Sequence, residues 1–284
     1  MSITTETQRK EFAERGFVAL RGLLQAEEIA RFGAAVDRAV AARTAHDTRT
    51  LAERTHYEQS FHQCINLWED FADVRPLTFH PRLGQVASEL LDRPVLRVWH
   101  DQALYKEPGG RGTDAHHDQP YWPLNEADTV TAWISFNGAR RESGCMGYVP
   151  GSHHFGVKRF SNIFTGTGFD LEHGEEARGV PPEFVPVEPG DVVFHHGLTI
   201  HVAGPNSTPH MRRVHTVIYF ADGSTRKDSK QLHPSVDRAG IAPGAVVDSA
   251  VTPIAFPRAP GDLPEPPPLP EPRLRGWPGW GRRA

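Results

Sequence analysis

The residues that could do chemistry cluster at His116-His117-Asp118. In an extended strand, residues two apart point to the same face. His116 and Asp118 are therefore expected to aim into one cavity, with His117 turned away. One more imidazole would complete a set of two His and one carboxylate on one face of a metal. That facial triad is the ligand set of non-haem Fe(II) oxygenases, and it leaves positions open for a keto acid and O2. The stretch from Gly190 to Asn206 can supply the missing ligand, since it holds His195, His196 and His201. Arg212 follows His201 by eleven residues, well placed to hold the second carboxylate of such a keto acid. With 16 His in the chain, a His-x-Asp alone says little.

These residues need a frame. Helical spacing is read over 7–15, 25–45 and 81–91, with Ile29, Phe32, Val36 and Val40 marking one stripe. The aromatic-rich stretch 57–68 reads first as a helix over the core. On the alternative reading, Tyr57, Phe61 or Trp68 lines a pocket. From Val95 the texture changes to short strands, over 95–105, 129–137, 144–149, 191–195, 199–202 and 211–220, after an early strand at 17–20. Helices first and strands later predict a mainly β fold with flanking helices, a sandwich or barrel. In the strand 211–220, Arg212 shares a face with Val214, Thr216, Ile218 and Phe220. Arg213 shares the other with His215, Val217 and Tyr219. The first face is more apolar, so Arg212 is expected inside. A buried guanidinium needs an anion.

The ordered set of motifs resembles the phytanoyl-CoA dioxygenase family of Fe(II)/2-oxoglutarate oxygenases. The likeness runs from about Phe12 to about Pro257. It includes Phe12-Ala-Glu-Arg-Gly-Phe17, Asp101-Gln102-Ala-Leu-Tyr-Lys106-Glu-Pro-Gly109 and His116-His-Asp-Gln-Pro-Tyr-Trp-Pro123. Thr131-Ala-Trp133, Ser143-Gly-Cys-Met-Gly-Tyr-Val-Pro-Gly-Ser-His153, His201 and Arg212 follow. The resemblance implies a double-stranded β-helix, a cupin-like jelly-roll barrel. It implies Fe(II) held by His116, Asp118 and His201, rather than by His195 or His196. It also implies 2-oxoglutarate clamped by Arg212 and touched by Gln102 and Trp133, with Lys106 and Tyr105 as vaguer candidates. A carboxylate at Asp118 argues for hydroxylation or another oxidation without a bound halide, because related halogenases carry a small residue there to admit halide. Many members place a Ser two residues after the distal His to assist the arginine. Here Ala203 stands there, so either co-substrate binding is weaker or another hydroxyl, such as Thr131 or Thr216, substitutes. Gln119, Tyr121 and Trp122 become candidates for the substrate mouth. The long stretch 155–183 is expected to act as a mobile lid.

The expected activity is a dioxygenase reaction. O2 and 2-oxoglutarate are consumed, succinate and CO2 are released, and a C–H bond of a small metabolite or natural-product intermediate is hydroxylated. The alternative is an O2-independent metal-binding cupin, a hydrolase or isomerase, which has no use for Arg212. A scaffold recruiting partners through its Pro-rich end is a third reading, and the intact triad argues against it. A net charge of −4 gives no electrostatic case for nucleic acid or an anionic membrane. No apolar run is long enough to span a bilayer. Two cysteines make no disulfide framework, so a cytoplasmic setting is expected. The oxygenase domain is expected to occupy 1–256. Residues 257–284 are expected to form a Pro-rich tail: a linker, a docking ligand or, as the favoured reading, a strap held on the domain through Trp277 and Trp280.

Overall fold

A computed structural model describes residues 1–158, 161–229 and 232–268. The chain opens with α1 (Glu6–Arg15), whose capping box joins Thr5 and Gln8. Gly16 ends it at φ 82°, where a Cβ would come within 2.5 Å of His153 and Thr199. Next come β1 (Phe17–Leu20), α2 (Ala26–Thr44), β2 (His62–Ile65), α3 (Leu67–Asp70), α4 (Arg75–Thr78) and α5 (Pro81–Leu91). The strand-rich part holds β3 (Leu96–Lys106), β4 (Thr113–His116), β5 (Thr129–Ser135), β6 (Met146–Tyr148) and β7 (Glu183–Val185). It continues with β8 (Val192–His196), β9 (His201–Ala203), β10 (Arg212–Ala221), the short α6 (Pro234–Asp237) and β11 (Ile254–Phe256).

Seven strands form one sheet in the order β1-β8-β5-β10-β3-β11, with β2 also paired to β3. Four more form a second sheet, β4-β9-β6-β7. The two are joined as a jelly-roll sandwich rather than one closed cylinder. Trp133, Val193 and Val214 of the large sheet pack on Met146, Tyr148 and Ala203 of the small one. The other face of the large sheet carries the helices. Phe32, Val36 and Val40 of α2 and Leu83, Val86 and Leu90 of α5 share one core with Ala132, Ile134, Phe194, Val217 and Tyr219. Alternation along β10 therefore sorts its side chains into a cavity face and a helix face, because both are buried.

Two expectations need correcting. Residues 57–68 are not a helix. They form a turn, the strand β2 and the start of α3. Pairing of His62–Ile65 with Gln102–Tyr105 overrides the helical spacing of the aromatics. Trp68 is fully buried in the helix-side core, whereas Tyr57 and Phe61 face the cavity described below. Nor do His116 and Asp118 share a strand. The strand β4 ends at His116, and Asp118 has helical φ/ψ as the residue before a 3₁₀ turn, Gln119–Tyr121.

The described part of the tail lies against the domain. Leu263 packs on the helix-side core, and Pro268 O accepts from Arg238 at 2.9 Å. Trp277 and Trp280 lie outside the described residues. Among the described residues no helix is long and apolar enough to cross a membrane.

Candidate metal centre

The site is built by strand register. His116 on β4 pairs directly with His201 on β9, and Tyr148 on β6 pairs with His201 from the other side. Directly opposed residues bring their side chains close, and the two imidazole rings stand 4.2 Å apart, centre to centre. Asp118 reaches the same point from the 3₁₀ turn. Its Oδ1 lies 3.6 Å from His116 Nε2 and 3.7 Å from His201 Nε2. One ligand atom from each of the three falls within 4.8 Å of the others, the only such group of potential metal ligands among the described residues. His117 is buried but turned away, edge-on to Phe169.

Each imidazole is tied at its far nitrogen. His116 Nδ1 lies 2.7 Å from Asp114 O, and His201 Nδ1 lies 2.9 Å from Thr199 O. A carbonyl can only accept, so Nδ1 carries the proton and Nε2 offers a lone pair. Burial pushes both pKa values down, His201 well below the usual range. The imidazoles are thus held neutral, as metal ligation requires. Burial opposes ionisation of Asp118, yet His201, His195 and His116 together hold its carboxyl below the usual range. The donor set is two neutral nitrogens and one carboxylate, which fits a divalent iron with open positions.

The triad borders a cavity of about 310 Å³ between the sheets. Its floor is the inner face of the large sheet. Gln102, Thr216 and Trp133 line up across β3, β10 and β5. Arg212 stands at the end of β10, 2 % exposed, with its guanidinium carbon 5.6 Å from the Trp133 ring centre. Its Nη1 donates to Gly144 O at 2.6 Å and its Nη2 to Leu104 O at 3.4 Å. Nε has no partner, and neither do the buried hydroxyls of Thr131 and Thr216, which line the same cavity. Burial pushes the guanidinium down to about 10. A buried guanidinium with no anionic partner, opening onto this cavity, can receive a carboxylate. Ala203 also lines the cavity and offers no hydroxyl there. Arg213 points to the opposite face and pairs with Asp37 at 2.6 Å.

The remaining candidates divide. Tyr121 and Trp122 line the cavity, and the Tyr121 hydroxyl donates to Ser161 O. Gln119 is not among its lining residues. Its amide is committed to Glu126 O at 3.0 Å and to the Thr129 hydroxyl at 2.8 Å, which turns it away. Tyr105 faces the helices and bonds Asp37 at 2.6 Å. Lys106 is fully buried outside the cavity lining and donates to Arg111 O. Burial and then the nearby Arg212 push its ammonium down to about 6. The insertion 155–183 contributes Ile163 and Phe164 to the wall, where Phe164 stands 4.6 Å from Tyr57, centre to centre.

Three contributors escaped the sequence reading. His100 lines the cavity together with His233, and burial drives His100 to about 4 and His233 well below the usual range. His195 was set aside as a ligand, yet it stands beside Asp118. The alternation along β8 could have pointed to it, since His195 and Val193 share the inward face.

Comparison with known proteins agrees with this geometry. A methylphosphonate hydroxylase of Gimesia maris is 28% identical over 193 residues, covering 66% of this chain and 68% of its own. A probable phytanoyl-CoA dioxygenase of Caenorhabditis elegans is 27% identical over 245 residues, covering 79% and 78%. Among solved structures, the non-haem alpha-ketoglutarate-dependent carbocyclase SnoK from nogalamycin biosynthesis superposes with a TM-score of 0.73. It is 28% identical and covers 89% of this chain and 96% of its own. The family model of phytanoyl-CoA dioxygenase matches residues 12–214, and the chain belongs to that family.

Proposed function

We propose that this chain is an Fe(II)- and 2-oxoglutarate-dependent oxygenase that hydroxylates a C–H bond of a small, largely apolar metabolite or natural-product intermediate. One observation carries the reading. A neutral-imidazole and carboxylate triad and a buried, uncompensated Arg212 open onto the same cavity. An O2-independent cupin would use the first and has no role for the second. His116, Asp118 and His201 would hold the iron. Arg212 would hold the far carboxylate of 2-oxoglutarate, between Gln102 and Trp133. Iron, 2-oxoglutarate and O2 together supply oxidative decarboxylation to succinate and CO2 and an oxidant for a C–H bond. The protein's share is to position both molecules and keep water out.

The rest of the cavity bears on the substrate. Tyr57, Phe61, Tyr121, Trp122, Ile163 and Phe164 wall it. His100 and His233 add imidazoles held uncharged by burial. Among its described lining residues, Arg212 is the sole arginine or lysine. A strongly anionic substrate such as a phosphonate would need a second cation there. An uncharged body with one or two hydrogen-bonding groups suits this wall better.

The test is succinate formation. Protein loaded anaerobically with Fe(II) and 2-oxoglutarate should release succinate on exposure to O2, slowly alone and faster with a fitting substrate. No succinate above a protein-free control would overturn the reading and return the O2-independent cupin.

On the same proposal, residues 1–256 carry the oxygenase and the tail from 257 takes no part in catalysis. No residue after His233 lines the described cavity. Truncation after Pro257 should leave 2-oxoglutarate turnover largely intact. It removes Leu263 and the Arg238–Pro268 contact, so stability should fall by about 1–2 kcal/mol, or roughly 2–8 °C in Tm. Loss of iron or of the fold on truncation would put the tail inside the catalytic unit.

A further inference from the structure

Each ligand of the triad needs something to aim it. His116 and His201 lean on backbone carbonyls, Asp114 O and Thr199 O. Asp118 has no such anchor in its own turn, because its side chain does not cap the 3₁₀ helix that follows. What stands behind it comes from the opposite sheet. His195, on β8 and 2 % exposed, places Nε2 3.4 Å from Asp118 Oδ2. This is the oxygen other than Oδ1, the one nearest both ligand imidazoles. His195 Nε2 is buried and makes no hydrogen bond of full geometry to any group, so Asp118 Oδ2 is its one close charged neighbour among the described contacts. Its Nδ1 lies 3.3 Å from the hydroxyl of Tyr148, a fully buried ring stacked on Phe17 at 4.7 Å.

We propose that His195 is a positioning residue for the metal centre, donating from Nε2 to the outer oxygen of Asp118 while the Tyr148 hydroxyl fixes its tautomer. The inference rests on the metal assignment proposed above. The chemistry is directional. A phenol is protonated at neutral pH, so the Tyr148 hydroxyl can donate. The lone pair on Nδ1 receives that proton, which leaves the imidazole N–H on Nε2. Nε2 can then donate only toward Asp118. With Oδ2 so held, the carboxylate presents Oδ1 to the two imidazoles, and its second oxygen is kept from competing for a position meant for co-substrate. The separations of 3.3 and 3.4 Å are long for hydrogen bonds. Such contacts tighten when a site is filled, and outer partners of metal ligands set affinity by about 10–100-fold.

The arrangement predicts a graded series in the full-length protein, read by anaerobic titration with Co(II) and by its visible absorption, with no turnover needed. H195F keeps the ring volume and removes both nitrogens. It should weaken Co(II) binding about 10–100-fold and alter the absorption bands. H195Q returns an amide donor near Nε2 and should recover most of the affinity. Y148F keeps the stack on Phe17 and should fall between. The Tm of the metal-free protein should change little across the series compared with the change in affinity. Wild-type affinity and spectrum in H195F would overturn the proposal while leaving the metal site intact. A loss in H195F that H195Q does not restore, with a parallel fall in metal-free Tm, would make His195 a packing residue and also overturn it. Failure of the wild-type protein to bind Co(II) would overturn the metal assignment itself, and this inference with it.

Discussion

His201→Ala should abolish turnover and weaken iron binding by more than the 10–100-fold expected for an outer partner of a metal ligand. His201 sits in the middle of a three-residue row, with His116 on one side and Tyr148 on the other. Its loss removes one of the three proposed ligands and the ring that His116 packs against. The fold should survive. The substitution empties space between the sheets and costs about 1–3 kcal/mol, a part of the stability of a domain this size. His196→Ala is the matched control. His196 lies on the helix side, 6.4 Å from the Phe12 ring, and its Nδ1 accepts from Leu198 N. It should keep metal binding and turnover. Metal titration, succinate release and circular dichroism on both variants measure all of this. Full activity in His201→Ala together with loss in His196→Ala would reassign the distal ligand.

Arg212→Ala should lower the affinity for 2-oxoglutarate about ten- to a hundredfold. The guanidinium already spends Nη1 and Nη2 on Gly144 O and Leu104 O, which hold it in place without neutralising it. The charge therefore awaits an anion. A charge-assisted contact to a carboxylate is worth roughly 1.5–3 kcal/mol, and about 1.4 kcal/mol is tenfold. Arg212→Lys should recover only part, because an ammonium cannot hold two carbonyls and a carboxylate in one plane. Arg213→Ala breaks a surface pair with Asp37 and should leave 2-oxoglutarate binding unchanged. Titration of Fe-loaded protein, following the metal-to-ligand charge-transfer band, reads all three. Equal affinity in wild type and Arg212→Ala would remove the main ground for preferring an oxoglutarate oxygenase to an O2-independent cupin.

Much of this was legible in the sequence where alternation governs. The sorting of Arg212 from Arg213 needed only the two faces of one strand, and the structure puts them on opposite faces. The helices α2 and α5 follow their apolar stripes. The failures share a physical cause, which is pairing at a distance. Residues 57–68 carry aromatics at a spacing that suits a helix, but the hydrogen bonds of β3 claim them as a strand. Asp118 reaches the cavity from a turn, and the two-residue rule gave the right direction for a different reason. His195 meets Asp118 only because the two sheets face one another, and nothing near either residue in the chain announces the meeting. Gln119 was expected at the mouth because it follows the motif, yet a turn carries it away to Glu126 and Thr129.

The insertion has one further consequence. It leaves β6 after Tyr148 and returns at Glu183, and these two residues are register partners in the small sheet. Its two ends are therefore clamped side by side, whatever lies between. The entropy of closing a loop grows only slowly with its length, so the clamp tolerates inserts of very different size. His116, Asp118 and His201 sit on strands and a turn outside it, while Ile163 and Phe164 inside it form part of the wall. Only its cavity-wall part is free to vary, because Val149, Ser152 and Phe169 bond and pack on Ala115 and Ile200, the neighbours of His116 and His201.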